Sequence, residues 1–238
     1  NARADLFILT PKEHHDAALV DAVVERAKAY ADAGASWLQS ASRLWTSWCE
    51  AAGSFASAKG HDDEVLSAAR KCIAEGVGKQ KSEDRLRLAH YQIAYILNDR
   101  GVYEEALSHA REASVLDSTD VYSLYEQGKA LQGLRRFQEV VTVVKQAIRL
   151  SDGKHGFHHF LLGSAYFEIE NWQLAQQSFE KASELSPKDT SAPYNVAICL
   201  TRLGYRNDAA RWYEEVLRRN PAHPERQQLL TRIQALRQ

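Results

Sequence analysis

The strongest constraint in this chain is a spacing. Over residues 156–189 two apolar-periodic runs are joined by a short polar turn at Glu170-Asn171. The first run carries Phe160, Leu162, Gly163, Tyr166 and Phe167, and the second carries Trp172, Ala175, Phe179, Ala182 and Leu185. Steps of three and four residues put each set on one face of a helix. Pro187 ends the second helix, because proline cannot continue one. Gly163, Ala175 and Ala182 let the two backbones approach closely, while Tyr166 and Phe179 fill the space beside them. Such a hairpin has one apolar face more than it can bury alone, so it must stack on a neighbour.

The neighbours recur at a fixed period. Ala94, Leu97, Ala106, Ala110, Ala113 and Ser118 take the places of Gly163, Tyr166, Ala175, Phe179, Ala182 and Pro187. Gly128, Leu131, Val140, Val144, Ala147 and Asp152 form another copy, and Ala197, Leu200, Ala209, Tyr213, Val216 and Pro221 the last. The copies start at Arg87, Val121, Gly156 and Thr190, a period of about 34 residues. Tyr103, Phe137 and Trp172 open the second helix of three copies; the fourth departs with Arg206. Arg135 stands where Gly101 and Gly204 suit a helix C-terminus.

These residues resemble the tetratricopeptide repeat (TPR) family over roughly the last two thirds of the chain. The resemblance implies an all-α fold: a right-handed α-solenoid of helix-turn-helix repeats. On this reading residues 82–223 hold four repeats, at about 87–120, 121–154, 156–189 and 190–223. Residues 224–238 form a C-terminal capping helix with Leu229, Leu230, Ile233 and Leu236 as its apolar stripe.

Residues 1–81 read as an N-terminal helical segment of three helices, a cap or a degenerate repeat. Thr10-Pro11-Lys12-Glu13 is a good helix start, and Gly34 ends that helix. A second helix from about Ala35 to Ala58 carries Trp37, Trp45 and Trp48, which aromatic spacing assigns to packing. A third runs from about Asp63 to Glu75. Residues 76–81, GVGKQK, are a polar link and the best boundary. They lack the spacing of a phosphate-binding loop.

Composition narrows the function. The net charge is −1, which argues against a general nucleic-acid binder. No apolar run is long enough to span a bilayer. The three scattered cysteines fit a reduced, cytoplasmic setting better than a disulfide framework. The chain has no methionine, and Asn1-Ala2 looks like the remnant of a removed expression tag. The expectation is a piece of a larger protein.

In the TPR family the first helices of the repeats line a concave groove that takes a peptide or helix from a partner. The resemblance carries this to Tyr91, Tyr95 and Asn98; to Tyr122, Tyr125, Glu126 and Lys129; to Phe157, Phe160, Ser164, Phe167 and Glu168; and to Tyr194, Asn195, Ile198 and Arg202. Aromatics at Tyr91, Tyr125, Phe160 and Tyr194 are common in the family for packing. Tyr95, Tyr122 and Phe157 go beyond that pattern. Tyrosine suits recognition because it offers large area and a polar tip. Of the lysine, arginine and asparagine clamp by which one TPR subgroup holds chaperone C-termini, only Asn195 is matched. The N-terminal arm is an alternative occupant of the groove.

His155, His158 and His159 cluster at the third copy's start without a carboxylate or cysteine to complete a metal site. The expectation there is a capping loop with a partly buried histidine. No catalytic constellation is legible, and no metal or cofactor is implied. The reading is a protein–protein interaction module and not an enzyme. The alternative is a regulatory, substrate-selecting or sensor domain of an enzyme outside this sequence. End-to-end stacking into a homo-oligomer is a further partner class.

Overall fold

The computed structural model describes residues 62–75 and 83–238. The expected first two helices, with Trp37, Trp45 and Trp48, and the link at 76–81 lie outside the described residues. Ten helices are described: α1 (Asp62–Glu75), α2 (Glu83–Asp99), α3 (Tyr103–Leu116), α4 (Val121–Gly133), α5 (Phe137–Leu150), α6 (Gly156–Glu168), α7 (Trp172–Leu185), α8 (Ser191–Arg202), α9 (Arg206–Arg219) and α10 (Arg226–Arg237). No strand occurs among the described residues. No helix among them is long and apolar enough to cross a membrane. The chain divides into two compact units, residues 1–118 and 119–238.

In the first unit α2 packs against both α1 and α3. Val65, Leu66 and Ala69 of α1, Ile93, Ala94 and Leu97 of α2, and Ala106, Ala110 and Ala113 of α3 are buried. Arg70 donates to Glu105 at 3.0 Å and Arg100 to Asp63 at 2.8 Å. These exposed pairs add little stability beyond fixing how α1 lies on its neighbours.

The second unit is built from three antiparallel hairpins: α4–α5, α6–α7 and α8–α9. Close approach inside each hairpin depends on small residues. A Cβ added to Gly163 would meet the Phe179 ring at 2.8 Å. At Gly128 it would lie 2.9 Å from both Val144 of its own hairpin and Leu161 of the next. One missing side chain thus admits the partner helix and the neighbouring hairpin together. The hairpins stack through α5 on α6 and α7 on α8.

The last hairpin is closed by α10. Leu229 and Ile233 are buried in a cluster with Ala197, Ala210, Tyr213 and Val216. Arg206, the departure from the aromatic pattern, has a specific role here. Its guanidinium donates to the carbonyl oxygens of Ala235 at 2.7 Å and Leu236 at 3.3 Å. A cation at these unpaired carbonyls is favourable for a helix C-terminus. Arg219 makes a second long-range tie, donating to the carbonyl of Asp189 at 3.0 Å and to the Glu215 carboxylate at 2.7 Å.

The turn inside each hairpin repeats one backbone geometry. Gly101, Arg135, Glu170 and Gly204 all have positive φ, at 75°, 59°, 60° and 83°. The residue after each donates its N–H five residues back: Val102 to Leu97, Arg136 to Leu131, Asn171 to Tyr166 and Tyr205 to Leu200. This is the left-handed helix termination that glycine adopts without strain. Arg135 and Glu170 take the same conformation without being glycine.

Replacing Gly163 by leucine drives a side chain into the Phe179 ring. The Gly163→Leu protein should lose about 1–3 kcal/mol of stability in denaturant melts. An unchanged midpoint would contradict the packing described.

Candidate functional site

The first turns of α4 and α6 lie side by side and bring several aromatic rings into contact. Asp120 starts α4: its carboxylate accepts the Tyr122 N–H at 3.1 Å and the Ser123 hydroxyl at 2.6 Å. That fixes where Tyr122 leaves the helix. The start of α6 is fixed differently. A Cβ on Gly156 would meet the Ser186 Oγ at 2.6 Å and the Ala182 carbonyl oxygen at 3.3 Å, so the missing side chain lets the end of α7 approach closely.

Between these ends the rings assemble. Tyr122 stacks on Phe157 with centroids 6.1 Å apart, and Tyr125 meets Phe157 edge-on at 4.7 Å. His155, the residue before α6, stacks on the other ring neighbours at 5.1 Å from Phe157 and 5.8 Å from Tyr122. Lys129 sits over the Tyr125 ring at 5.9 Å, and its Nζ is 3.3 Å from the buried Glu126 carboxylate. Tyr122 remains 49% exposed despite these contacts.

His158 lies beneath the cluster and is fully buried. Its Nε2–H donates to the Val121 carbonyl at 3.2 Å, joining the start of α6 to the start of α4. Its Nδ1 is buried without a hydrogen-bond partner. Burial pushes this imidazole down to about 4, and the charges available to His155 and His159 push the same way; the bond to Val121 only partly offsets them. His159 turns elsewhere, its Nε2 donating to the Gly153 carbonyl at 3.2 Å. The sequence suggests a capping loop with a partly buried histidine; in the structure His158 is fully buried within α6, and His155 makes no side-chain cap but contacts Phe157 and Tyr122 as an aromatic ring. Its spacing of two from Phe157 is the one sequence signal for that role.

Other candidates are used within the unit. Phe160 packs edge-on against Phe179 at 5.3 Å. Phe167 meets Trp172 edge-on at 4.8 Å, with the Arg202 guanidinium 5.8 Å from the same indole. Tyr194 packs against Tyr213 at 5.7 Å and accepts a hydrogen bond from Arg232 at 2.9 Å. Asn195 donates to the Ser191 carbonyl at 2.9 Å. In the first unit, Tyr91 and Tyr95 are half-buried with centroids 6.5 Å apart, and Asn98 is buried.

The architecture defines the class: an all-α repeat protein of stacked helical hairpins. Comparison with known proteins supplies the family. Residues 166–233 match the tetratricopeptide repeat model. TPR repeat-containing protein YpiA of Bacillus subtilis (strain 168) is 25% identical over 177 residues, 74% of this chain and 40% of that relative's length. Among solved structures, MamA 41-end from Desulfovibrio magneticus RS-1 superimposes with a TM-score of 0.63 at 16% identity, over 76% of this chain and 97% of that one. YrrB, described as a TPR protein with an unusual peptide-binding site, gives 0.57 at 22% identity over 72% and 93%. Residues 166–233 are thus tetratricopeptide-repeat sequence, and the described helices share the fold of solved TPR proteins.

The buried His158 has a consequence for acid stability. In the unfolded chain its imidazole takes up a proton near its ordinary value of 6.5, whereas the folded protein resists protonation until about 4. Its contribution is therefore complete above pH 6.5 and is lost as the pH falls toward 4, by up to about 3 kcal/mol. His158→Gln keeps a donor for the Val121 carbonyl but cannot titrate. Denaturant melts at pH 7 and pH 4.5 should show a smaller acid loss for the variant; equal losses would place the titration elsewhere.

Proposed function

We propose that this chain is a protein-interaction module, and that residues 119–238 bind a peptide or helix of a partner protein on the aromatic surface at the starts of α4 and α6. The observation that carries this is Tyr122. It is half exposed at the top of a stack in which Phe157, Tyr125 and His155 are already ordered against one another. Rings held in place lose little conformational freedom when a partner arrives, so burying them favours association at low entropic cost. Phe160 and Tyr194, by contrast, are spent on packing within hairpins and on α10.

The pinned helix starts support the same reading. Asp120 and Gly156 fix the two backbones, and the His158 bond to Val121 fixes their spacing. A partner segment that presents an apolar or aromatic anchor would cover Tyr122 and Phe157. Its polar flank would meet the Lys129 ammonium. The fold shared with YrrB makes peptide recognition a natural use of such a surface.

Peptides selected from a displayed random library on the whole chain test this. Tyr122→Ala combined with Phe157→Ala should weaken the selected peptides at least tenfold, about 1.4 kcal/mol, with the helical circular dichroism unchanged. Peptides that bind the folded double variant as tightly as the parent would overturn the assignment.

A further inference from the structure

We propose that the face formed by α8 and α10 around Arg202 and Arg232 binds an acidic segment of a partner protein. The arginines at this end of the chain sort by what they touch. Arg211 faces the carboxylate of Asp208, Arg218 and Arg219 that of Glu215, and Arg237 that of Glu214. Arg206 and Arg226 donate to backbone carbonyls. Arg202 and Arg232 are different: both are exposed, and neither has a carboxylate partner among the described residues.

Both guanidiniums are held in place by uncharged groups. That of Arg202 lies 5.8 Å from the Trp172 ring. That of Arg232 lies 6.0 Å from the Tyr194 ring, donates to the Tyr194 hydroxyl at 2.9 Å and also hydrogen-bonds the Tyr213 hydroxyl. Aromatic rings and neutral phenols orient a guanidinium without cancelling its charge. The remaining N–H donors of each planar fork suit a carboxylate.

The two helices add to this charge rather than offset it. α8 and α10 carry Arg202, Arg226, Arg232 and Arg237 and no aspartate or glutamate. A field of one sign attracts a partner of the other and repels a like one. Tyr194, Ile198 and Arg202 fall at steps of four on one face of α8. Tyr194, which Arg232 reaches, and Arg202 are therefore about 12 Å apart along the helix axis, with the half-buried Ile198 between them. About four residues of extended chain cover that distance. The segment that fits carries two acidic side chains at that spacing and an apolar residue between them. This surface is separate from the ring stack at the starts of α4 and α6, and the inference does not rest on it.

The test is a nitrogen-15 NMR titration of the whole chain with a synthetic peptide whose glutamates flank a central leucine at that spacing, set against its glutamine counterpart. The glutamate peptide should shift the Nε resonances of Arg202 and Arg232 in the unaltered protein, a readout that needs no variant to fold, and added salt should weaken its binding. Arg202→Gln and Arg232→Gln should each weaken it about threefold, whereas Arg211→Gln, whose arginine already faces Asp208, should leave it unchanged. Equal binding of the glutamine peptide, or no binding of either peptide, would overturn the proposal. So would binding that survives the loss of both arginines, or equal displacement by inorganic phosphate at matched ionic strength, which would mark a general anion site.

Discussion

The hairpins of the second unit depend on two helices coming close enough for a small residue to touch a side chain of its partner. Gly163 against Phe179 and Gly128 against Val144 set the depth of their hairpins. Because Leu161 reaches into the same gap at Gly128, the contact that forms one hairpin also seats the next. Stacking then covers each apolar face, and α10 ends the series by burying Leu229 and Ile233. The left-handed turns at Arg135 and Glu170 show how dominant this packing is. A left-handed L-residue costs about 1–2 kcal/mol, and the hairpins tolerate it twice.

That packing divides the aromatic residues into two populations. Phe160, Phe179, Tyr194 and Tyr213 are needed to fill space beside small residues or beneath α10. Tyr122 and Phe157 are held in order by their neighbours but are not needed to close a core. The ring stack at the starts of α4 and α6, with Tyr122 half exposed, is the surface on which the proposed partner binding rests.

The fold was legible because its signals are local and periodic. Small and large residues at three- and four-residue steps, repeated about every 34, mark helices, hairpins and the capping helix through Leu229 and Ile233. The helix ends were legible where glycine marks them, at Gly101 and Gly204, and could be placed at Arg135 and Glu170 only by register. Site contacts were harder to read because they are long-range. The guanidinium of Arg206 reaches carbonyls 29 and 30 residues away, and Arg232 meets Tyr194 across 38 residues, a separation that no motif announces. Phe167 and Arg202 looked like two groove residues, yet they converge on Trp172 from different helices.

The most direct measurement places a photo-crosslinking amino acid at Tyr122 and, separately, at Tyr205. Both tyrosines are similarly exposed, at 49% and 53%, but only Tyr122 belongs to the ring stack. Each labelled chain is irradiated with a library-selected peptide and the adducts are sequenced. The account predicts adducts at position 122, competed away by unlabelled peptide, and none at position 205. Equal labelling at both positions, or labelling at 205 alone, would contradict it.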